Sequence, residues 1–311
     1  MKYMVTLAPH LRSKIKTSNI MGDVVIALLP ALAVGVYRFG LRALLVTLVS
    51  VVTALAAEWL CSRLIYHRNS VTDLSCVVTG LLLAMSLPST VPYWLVVVGS
   101  GFAVIVVKGF CGGIGKNIFN PALAARAFLM LFWPLYLTRF TVDGVAGATP
   151  LHPMQMPALP EVSVQDMFLG NIGGCIGEIS TLALLLGGAY LVLRKVISLR
   201  IPMAYLATVA AVSYCFYQGE DPVSWMVYSL LGGGVVLGAI FMATDYSSSP
   251  VTPAGQIFYG IGCGILTMLF RRFGLFPEGV TYAILLMNAL VWAIDYYTAP
   301  RRFGTKEGGA L

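Results

Sequence analysis

Charge is what this chain of 311 residues most lacks: Asp, Glu, Lys and Arg together make up 11% of it. Soluble domains carry about 25%, so this chain lacks the polar surface to cover itself in water, and a soluble globular class is excluded. Grouped cysteine is missing too. Cys61, Cys76, Cys111, Cys175, Cys215 and Cys263 are scattered, with no C-x-x-C pair. A zinc or iron–sulfur centre needs clustered thiolates, so none is expected from this chain alone. Isolated in apolar runs, these thiols read as small packing residues. No small-residue cleavage pattern follows the first apolar run, so the first helix is expected to stay as an anchor. No strand–turn–helix unit surrounds the Gly-x-Gly at Gly113 and Gly115, which removes the dinucleotide-fingerprint reading.

What is present is apolar: 58% hydrophobic residues, with a mean hydropathy of +0.85. Runs of about 20 such residues recur, and backbone amides in lipid must pair within their own segment. The expected fold is therefore an all-α polytopic membrane protein seated in a lipid bilayer. Ten spans are expected, at about 21–37, 41–60, 74–88, 93–110, 120–138, 173–193, 202–218, 225–243, 256–271 and 279–297. The net charge of +7 sits in flanks and short loops, the pattern of cytoplasmic loops rather than of nucleic-acid binding.

With the basic N-terminus inside, the inner loops hold Arg63, His67, Arg68, Lys108, Lys116, Arg194, Lys195 and Arg200. The tail, with Arg301, Arg302 and Lys306, is inside as well. Asp143, Glu161, Asp166, Glu220 and Asp221 fall outside, so both termini are expected in the cytoplasm. Arg38, Arg42, Arg271 and Arg272 break this asymmetry, and nothing in the sequence accounts for them.

An internal echo recurs at a spacing of about 160 residues. LLLAMSLPSTVP (Leu81 to Pro92) matches IFMATDYSSSPVTP (Ile240 to Pro253), and VGSGFAVIVVKGF matches YGIGCGILTMLFRRFG. A tandem five-helix unit must invert because five is odd, and inverted repeats hold ligands near the midplane where helices break. Breaks are expected at Pro88 and at the Asp245–Pro250 run. The chain then divides into a cytoplasmic segment 1–20, a first repeat 21–138, an outer loop 139–172, a second repeat 173–297 and a cytoplasmic tail 298–311.

Three polar islands interrupt the pattern. In CGGIGKNIFNPALAARAF (Cys111 to Phe128), glycines permit tight turns and Asn120-Pro121 reads as a helix cap and first turn. Two readings stand together here: a capped helix start, or Asn117 and Asn120 hydrogen-bonding a planar heterocycle. In FMATDYSSSPVTPAGQ (Phe241 to Gln256), Asp245 at the end of the eighth span is either a loop cap or an ion-coupling carboxylate. In TVDGVAGATPLH (Thr141 to His152), small residues leave the Thr149 hydroxyl accessible, though a Thr before Pro in a loop is ordinarily nothing.

Together, LAPHLRSKIKTSNIMGDVVIALLPAL, GGIGKNIFNPALAARAF, DGVAGATPLH and ATDYSSSPVTPAGQ resemble the D subunits of Rnf complexes, the membrane-bound ferredoxin:NAD oxidoreductases. The related B subunit of the sodium-pumping NADH:quinone oxidoreductase shares these islands. The resemblance covers essentially the whole chain, and the short length and ATDY…SP form sit closer to the Rnf member.

The inverted five-helix duplication read from the echo resembles the urea-transporter architecture, and the family resemblance implies a bacterial or archaeal inner membrane. It implies FMN joined to Thr149 by a phosphoester, within a motif that Asp143, Gly144, Gly147 and Ala148 also match. Ala146 departs from the Ser or Thr usual at its place. Carried over likewise are a non-covalent riboflavin at Asn117 and Asn120, and a flavin transferase that attaches the FMN. The partners implied are the other membrane, flavin-carrying and iron–sulfur subunits of the complex. The chain would then relay electrons between ferredoxin and NAD, coupled to Na⁺ or H⁺ movement, as one subunit of an enzyme and not catalytic alone. The rival reading is a small-solute channel of the same architecture, since a fold does not fix a function.

Overall fold

The computed structural model describes residues 16–66, 71–113, 115–138, 140–142, 145–147, 163–217, 221–274 and 279–300. Each of the ten expected apolar runs contains a helix. The first half holds α1 (Thr17–Phe39), α2 (Leu41–Cys61), α3 (Ser75–Met85), α4 (Tyr93–Gly101, running on as a π-helix to Gly109) and α5 (Pro121–Phe132). Short helices α6 (Pro134–Leu137) and α7 (Val164–Leu169) follow. The second half holds α8 (Thr181–Leu193), α9 (Arg200–Cys215), α10 (Pro222–Leu231), α11 (Val235–Leu237, running on to Met242), α12 (Pro253–Phe273) and α13 (Val280–Thr298).

Crossing a bilayer takes about 20 residues at 1.5 Å each. Among the described residues, four helices are long and apolar enough: Thr17–Phe39, Leu41–Leu64, Pro253–Phe273 and Val280–Thr298. The bent pair Pro222–Leu231 and Val235–Met242 makes a fifth, broken by 59°. The others are shorter. Helix α3, with 11 residues, rises only about 16 Å, so ten full-length spans are not what the helices themselves supply.

The packing pairs the two halves in the same way. Helix α2 lies on α3 and α4, just as α9 lies on α10 and α12, while α1 packs on α8 and α5 on α13 across the halves. Gly260 lets α12 close on α9: a Cβ there would stand 2.9 Å from the Ile201 carbonyl. Asp23 in α1 accepts from the Tyr190 hydroxyl at 2.9 Å and pairs with Arg194 at 3.2 Å, tying α1 to α8. Aromatics mark both ends of the bundle. Trp94, Trp133 and Tyr136 cluster at one end, and Trp292 stacks near Tyr296 at the other.

Four expectations change. The sixth run does not begin as helix at 173; α8 starts at Thr181, capped by Ser180. Residues before it, rich in glycine, fold inward and donate to carbonyls left open where α3 ends: Ile176 to Leu87 at 3.0 Å and Gly177 to Met85 at 2.8 Å. The eighth run breaks in mid-course at Gly233 and Gly234, whose φ of 64° and 67° suits glycine. The fold is not wholly α-helical either, for the segment 139–172, expected as an outer loop, holds two short strands. Phe140–Val142 and Val145–Gly147 pair as an antiparallel hairpin, Thr141 opposite Ala146. That register leaves Asp143-Gly144 as the connection, a dipeptide favoured in two-residue hairpin turns. Lastly, Lys108 is no loop charge, for it is buried to 1% exposure.

Candidate functional site

Inside the bundle, on the face where α1 begins, the ends of α4 and α11 meet the starts of α3 and α5 around a cavity. Its empty volume is about 720 Å³, open mouth included. Apolar walls come from Val24, Val78, Leu82, Leu191 and Phe241. Polar groups enter from three separate stretches of chain: Ser75, then Lys108 with Asn117 and Asn120, and Thr244 with Asp245. Two of the three islands seen in the sequence therefore face one another across a single space.

The asparagines are placed by a tight loop. Gly112, Gly113 and Gly115 hold φ of 93°, 95° and 82°, which folds the chain back between α4 and α5. The two side chains then diverge in role. Asn120 Oδ1 caps α5, accepting from Ala122 at 3.0 Å and Leu123 at 3.4 Å, and its Nδ2 donates to the Met242 carbonyl at 3.1 Å. Asn117 is also buried, but its Oδ1 has no hydrogen-bond partner among the described residues. A buried acceptor left unmade costs about 1–3 kcal/mol. A ligand bringing an N–H donor would satisfy it.

Beside them runs a charged chain that sequence reasoning missed. Lys108 Nζ lies 3.0 Å from Glu58 Oε2 and donates to Ser75 Oγ at 2.6 Å. Ser75 in turn donates to Asp73 Oδ1 at 2.6 Å. Glu58 is fully buried in α2. A carboxylate inside an apolar run is a signal the sequence did offer, but its partner lies in another helix and no local pattern predicts it.

Asp245 accepts from Ser248 at 3.0 Å and from Ser247 at 3.2 Å. It keeps part of its surface open to the cavity, yet the surrounding protein desolvates it. Burial raises its carboxyl above the ordinary carboxylate range, against the two serine bonds.

A second cavity adjoins the first on the same face, with an empty volume of about 1,030 Å³ including its opening. It is lined by Lys195, Ser198, Ile201, Ser249 and Gln256, among others. Val196, Ile197, Thr244 and Tyr246 belong to the walls of both. The Tyr246 hydroxyl donates to the Val196 carbonyl, so one side chain spans the boundary between the two spaces.

The Val196 carbonyl is presented there by the end of α8. Val196 N donates to Leu191 and Lys195 N to Val192, both at 2.9 Å, the double bond pattern that closes many helices with a left-handed residue. That residue is Lys195, with φ of 56° where glycine is usual.

Of the other residues singled out by sequence, Gly147 ends the second hairpin strand. Asp143, Ala148 and Thr149 lie outside the described residues.

Comparison with known proteins covers nearly the whole chain. Residues 4–304 match the NQR2, RnfD, RnfE family. The chain is 48% identical over 310 residues to the D subunit of the Na(+)-translocating ferredoxin:NAD(+) oxidoreductase complex of Acetobacterium woodii, covering 97% of this chain and 96% of that one. It is 39% identical over 326 residues to the D subunit of the proton-translocating ferredoxin:NAD(+) oxidoreductase complex of Clostridium ljungdahlii, covering 98% and 97%. To the D subunit of an ion-translocating oxidoreductase complex of Halorhodospira halophila it is 35% identical over 342 residues, covering 97% and 96%.

Proposed function

This chain belongs to the NQR2, RnfD, RnfE family, and from that premise we propose that it is the membrane-embedded electron-relay subunit of an ion-translocating ferredoxin:NAD oxidoreductase complex. The observation that carries the reading is end-to-end similarity to D subunits of such complexes, 48% and 39% identical. Ferredoxin and NAD would react on partner subunits, since this chain has no nucleotide-binding unit in its sequence. The relatives' names carry different ions, so the shared scaffold is compatible with Na⁺ and with H⁺.

FMN is proposed on Thr149 through a phosphoester, attached by a flavin transferase, with the Asp143–Ala148 residues as its recognition context. Riboflavin is proposed in the inner cavity. The residues present fit a planar heterocycle there: apolar walls, an uncommitted buried acceptor on Asn117, and a cation already neutralised by Glu58. A bound flavin supplies the ability to pass one or two electrons. The chain's own contribution is to orient the ring through Asn117, to keep its surroundings apolar, and to hold Lys108 and Glu58 as a neutral pair.

Asp245, on the same cavity, is the proposed ion-coupling group. Two inverted five-helix repeats are part of the proposal, and the matched packing of the halves favours them; an inner membrane with the cavity face and both termini cytoplasmic is proposed with them. The test is the intact mass of the chain purified from cells that contain the transferase: a single FMN adduct is expected, and an unmodified mass overturns the covalent relay. Solute flux through flavin-free chain in proteoliposomes would instead favour the channel reading.

A further inference from the structure

We propose that the outer of the two cavities is a binding site for an anionic glycerophospholipid, its phosphate held by Lys195 and Arg200 and an acyl chain laid along the apolar wall. The inference is independent of what fills the inner cavity, and needs only that the chain is embedded in lipid.

The outer cavity is amphipathic. Val192, Val196, Ile197, Ile201 and Val251 make an apolar wall, and Lys195, Ser198 and Gln256 bring polar groups to it. Ser198 Oγ donates to Gln256 Oε1 at 3.0 Å, and Arg200 Nη1 stands 3.5 Å from the same oxygen, so one amide holds a hydroxyl and a guanidinium side by side. Val251 in the wall and Leu199 next to Ser198 are exposed apolar side chains. The wall therefore continues onto surface of the kind that faces lipid.

The two cations stand where local structure gives no reason for them. Lys195 closes α8 with φ of 56°, a left-handed backbone in which glycine is favoured. Arg200 is the first residue of α9, at the positive end of the helix dipole, where a cation is repelled. Among the described residues neither has a carboxylate partner.

The acidic groups on the neighbouring elements are committed. Asp23 is held by Tyr190 and Arg194, and Asp245 by Ser247 and Ser248. Asp295 accepts from the Val251 and Thr252 N–H groups at 3.1 and 3.4 Å. Among the described residues no carboxylate lines the outer cavity, so uncompensated positive charge meets an apolar wall at the end of the bundle. Basic pockets of this kind between membrane helices take anionic head groups.

A phosphodiester suits these groups. Its oxygens accept from the lysine ammonium and from the guanidinium fork, and head-group hydroxyls pair with Ser198 and Gln256. A free phosphate would leave the apolar wall unused. A zwitterionic lipid would set its own cation against Lys195 and Arg200.

The test uses the full-length chain, delipidated in detergent. Native mass spectrometry counts the lipid retained, and thermal unfolding during titration gives the affinity. The probes are phosphatidylglycerol, phosphatidylcholine with the same acyl chains, and glycerophosphate. Phosphatidylglycerol is expected to be retained and to raise the unfolding temperature, and glycerophosphate at millimolar concentration to do neither. Lys195→Gln with Arg200→Gln is expected to weaken phosphatidylglycerol about thirtyfold, each cation at a lipid surface contributing about fivefold. Phosphatidylcholine should bind the unsubstituted chain only as weakly as phosphatidylglycerol binds this double variant. Arg63→Gln with Lys116→Gln removes two exposed cations of the same face that do not line the cavity, and should leave the affinity within about twofold. All four side chains are exposed, and circular dichroism confirms that the variants fold.

Equal retention of the two lipids, or undiminished binding of phosphatidylglycerol by the Lys195 and Arg200 variant, overturns the site. Equal weakening by the Arg63 and Lys116 variant shows a diffuse surface attraction and overturns it as well. If glycerophosphate displaces the lipid, the cavity is a site for soluble phosphate esters and the lipid assignment falls. If the lipid binds the isolated chain but is missing from the assembled complex, an acidic segment of a partner subunit fills the cavity and the assignment falls likewise.

Discussion

Asn120 donates from its side-chain nitrogen to the carbonyl oxygen of Met242, 3.1 Å away and 122 residues further along the chain. One residue begins a helix of the first half and the other ends a broken helix of the second, so this bond fastens the halves at the edge of the cavity. The Oδ1 of its neighbour Asn117 makes no such tie among the described residues.

The two asparagines should therefore respond oppositely to substitution. Asn120→Ala removes a helix cap and a donor to a buried carbonyl, and should destabilise the fold by about 2 kcal/mol. Asn117→Leu removes an orphaned buried acceptor, and should leave thermal stability in detergent unchanged or higher while abolishing binding of added riboflavin. A large loss of stability from Asn117→Leu would count against its assignment as a ligand group.

For the covalent flavin, in-gel fluorescence of the denatured chain is decisive. The unsubstituted protein should give a band and Thr149→Val none, with both proteins folded. Restoring a hydroxyl at the departing position, Ala146→Ser, should leave the band in place, because the acceptor is Thr149.

The buried pair of Glu58 and Lys108 should behave as a unit. Lys108→Met alone leaves a carboxylate stranded in the bundle and should cost about 3–5 kcal/mol, whereas adding Glu58→Leu should recover most of it. Thermal unfolding of the three proteins in one detergent measures this. Similar losses in the single and double variants would show that the pair contributes little beyond its packing.

Asp245→Asn keeps the serine contacts possible while removing the titrating charge. If Asp245 couples the ion, electron transfer by the assembled complex should lose its dependence on the transported ion. Intact ion-dependent turnover in that variant would end the idea.

Much of this is legible in the sequence. Apolar periodicity locates helices in all ten runs, and Asn120-Pro121 announces its cap because capping is a local matter of backbone geometry. The meeting of Asn117, Asn120 and Asp245 around one cavity is not legible, since it depends on packing between distant segments. The break at Gly233 and Gly234 hides inside an otherwise uniform apolar run. Lys108 passes for a loop charge for a related reason: its partner Glu58 sits 50 residues away in sequence. The hairpin before Thr149 carries a local signal in Asp143-Gly144, which a search for helices passes over.

Two of the arginines that break the charge asymmetry have a role in the packing. Arg42 donates to the Thr90 carbonyl at 2.9 Å, just past the break after α3. Arg271, at the end of α12, donates to the Ser229 and Gly232 carbonyls at 2.6 and 2.7 Å, where α10 stops. Carbonyls opened within a bilayer must find donors in the protein, and this donor is made about 40 residues after the break it serves. During synthesis the broken span would thus reach the membrane before its cap exists. Stable insertion of α10 and α11 should wait for α12, so that the three enter as a set. A nascent chain ending at residue 260 should leave residue 233 open to a water-soluble thiol reagent in a Gly233→Cys variant, and one ending at residue 300 should protect it.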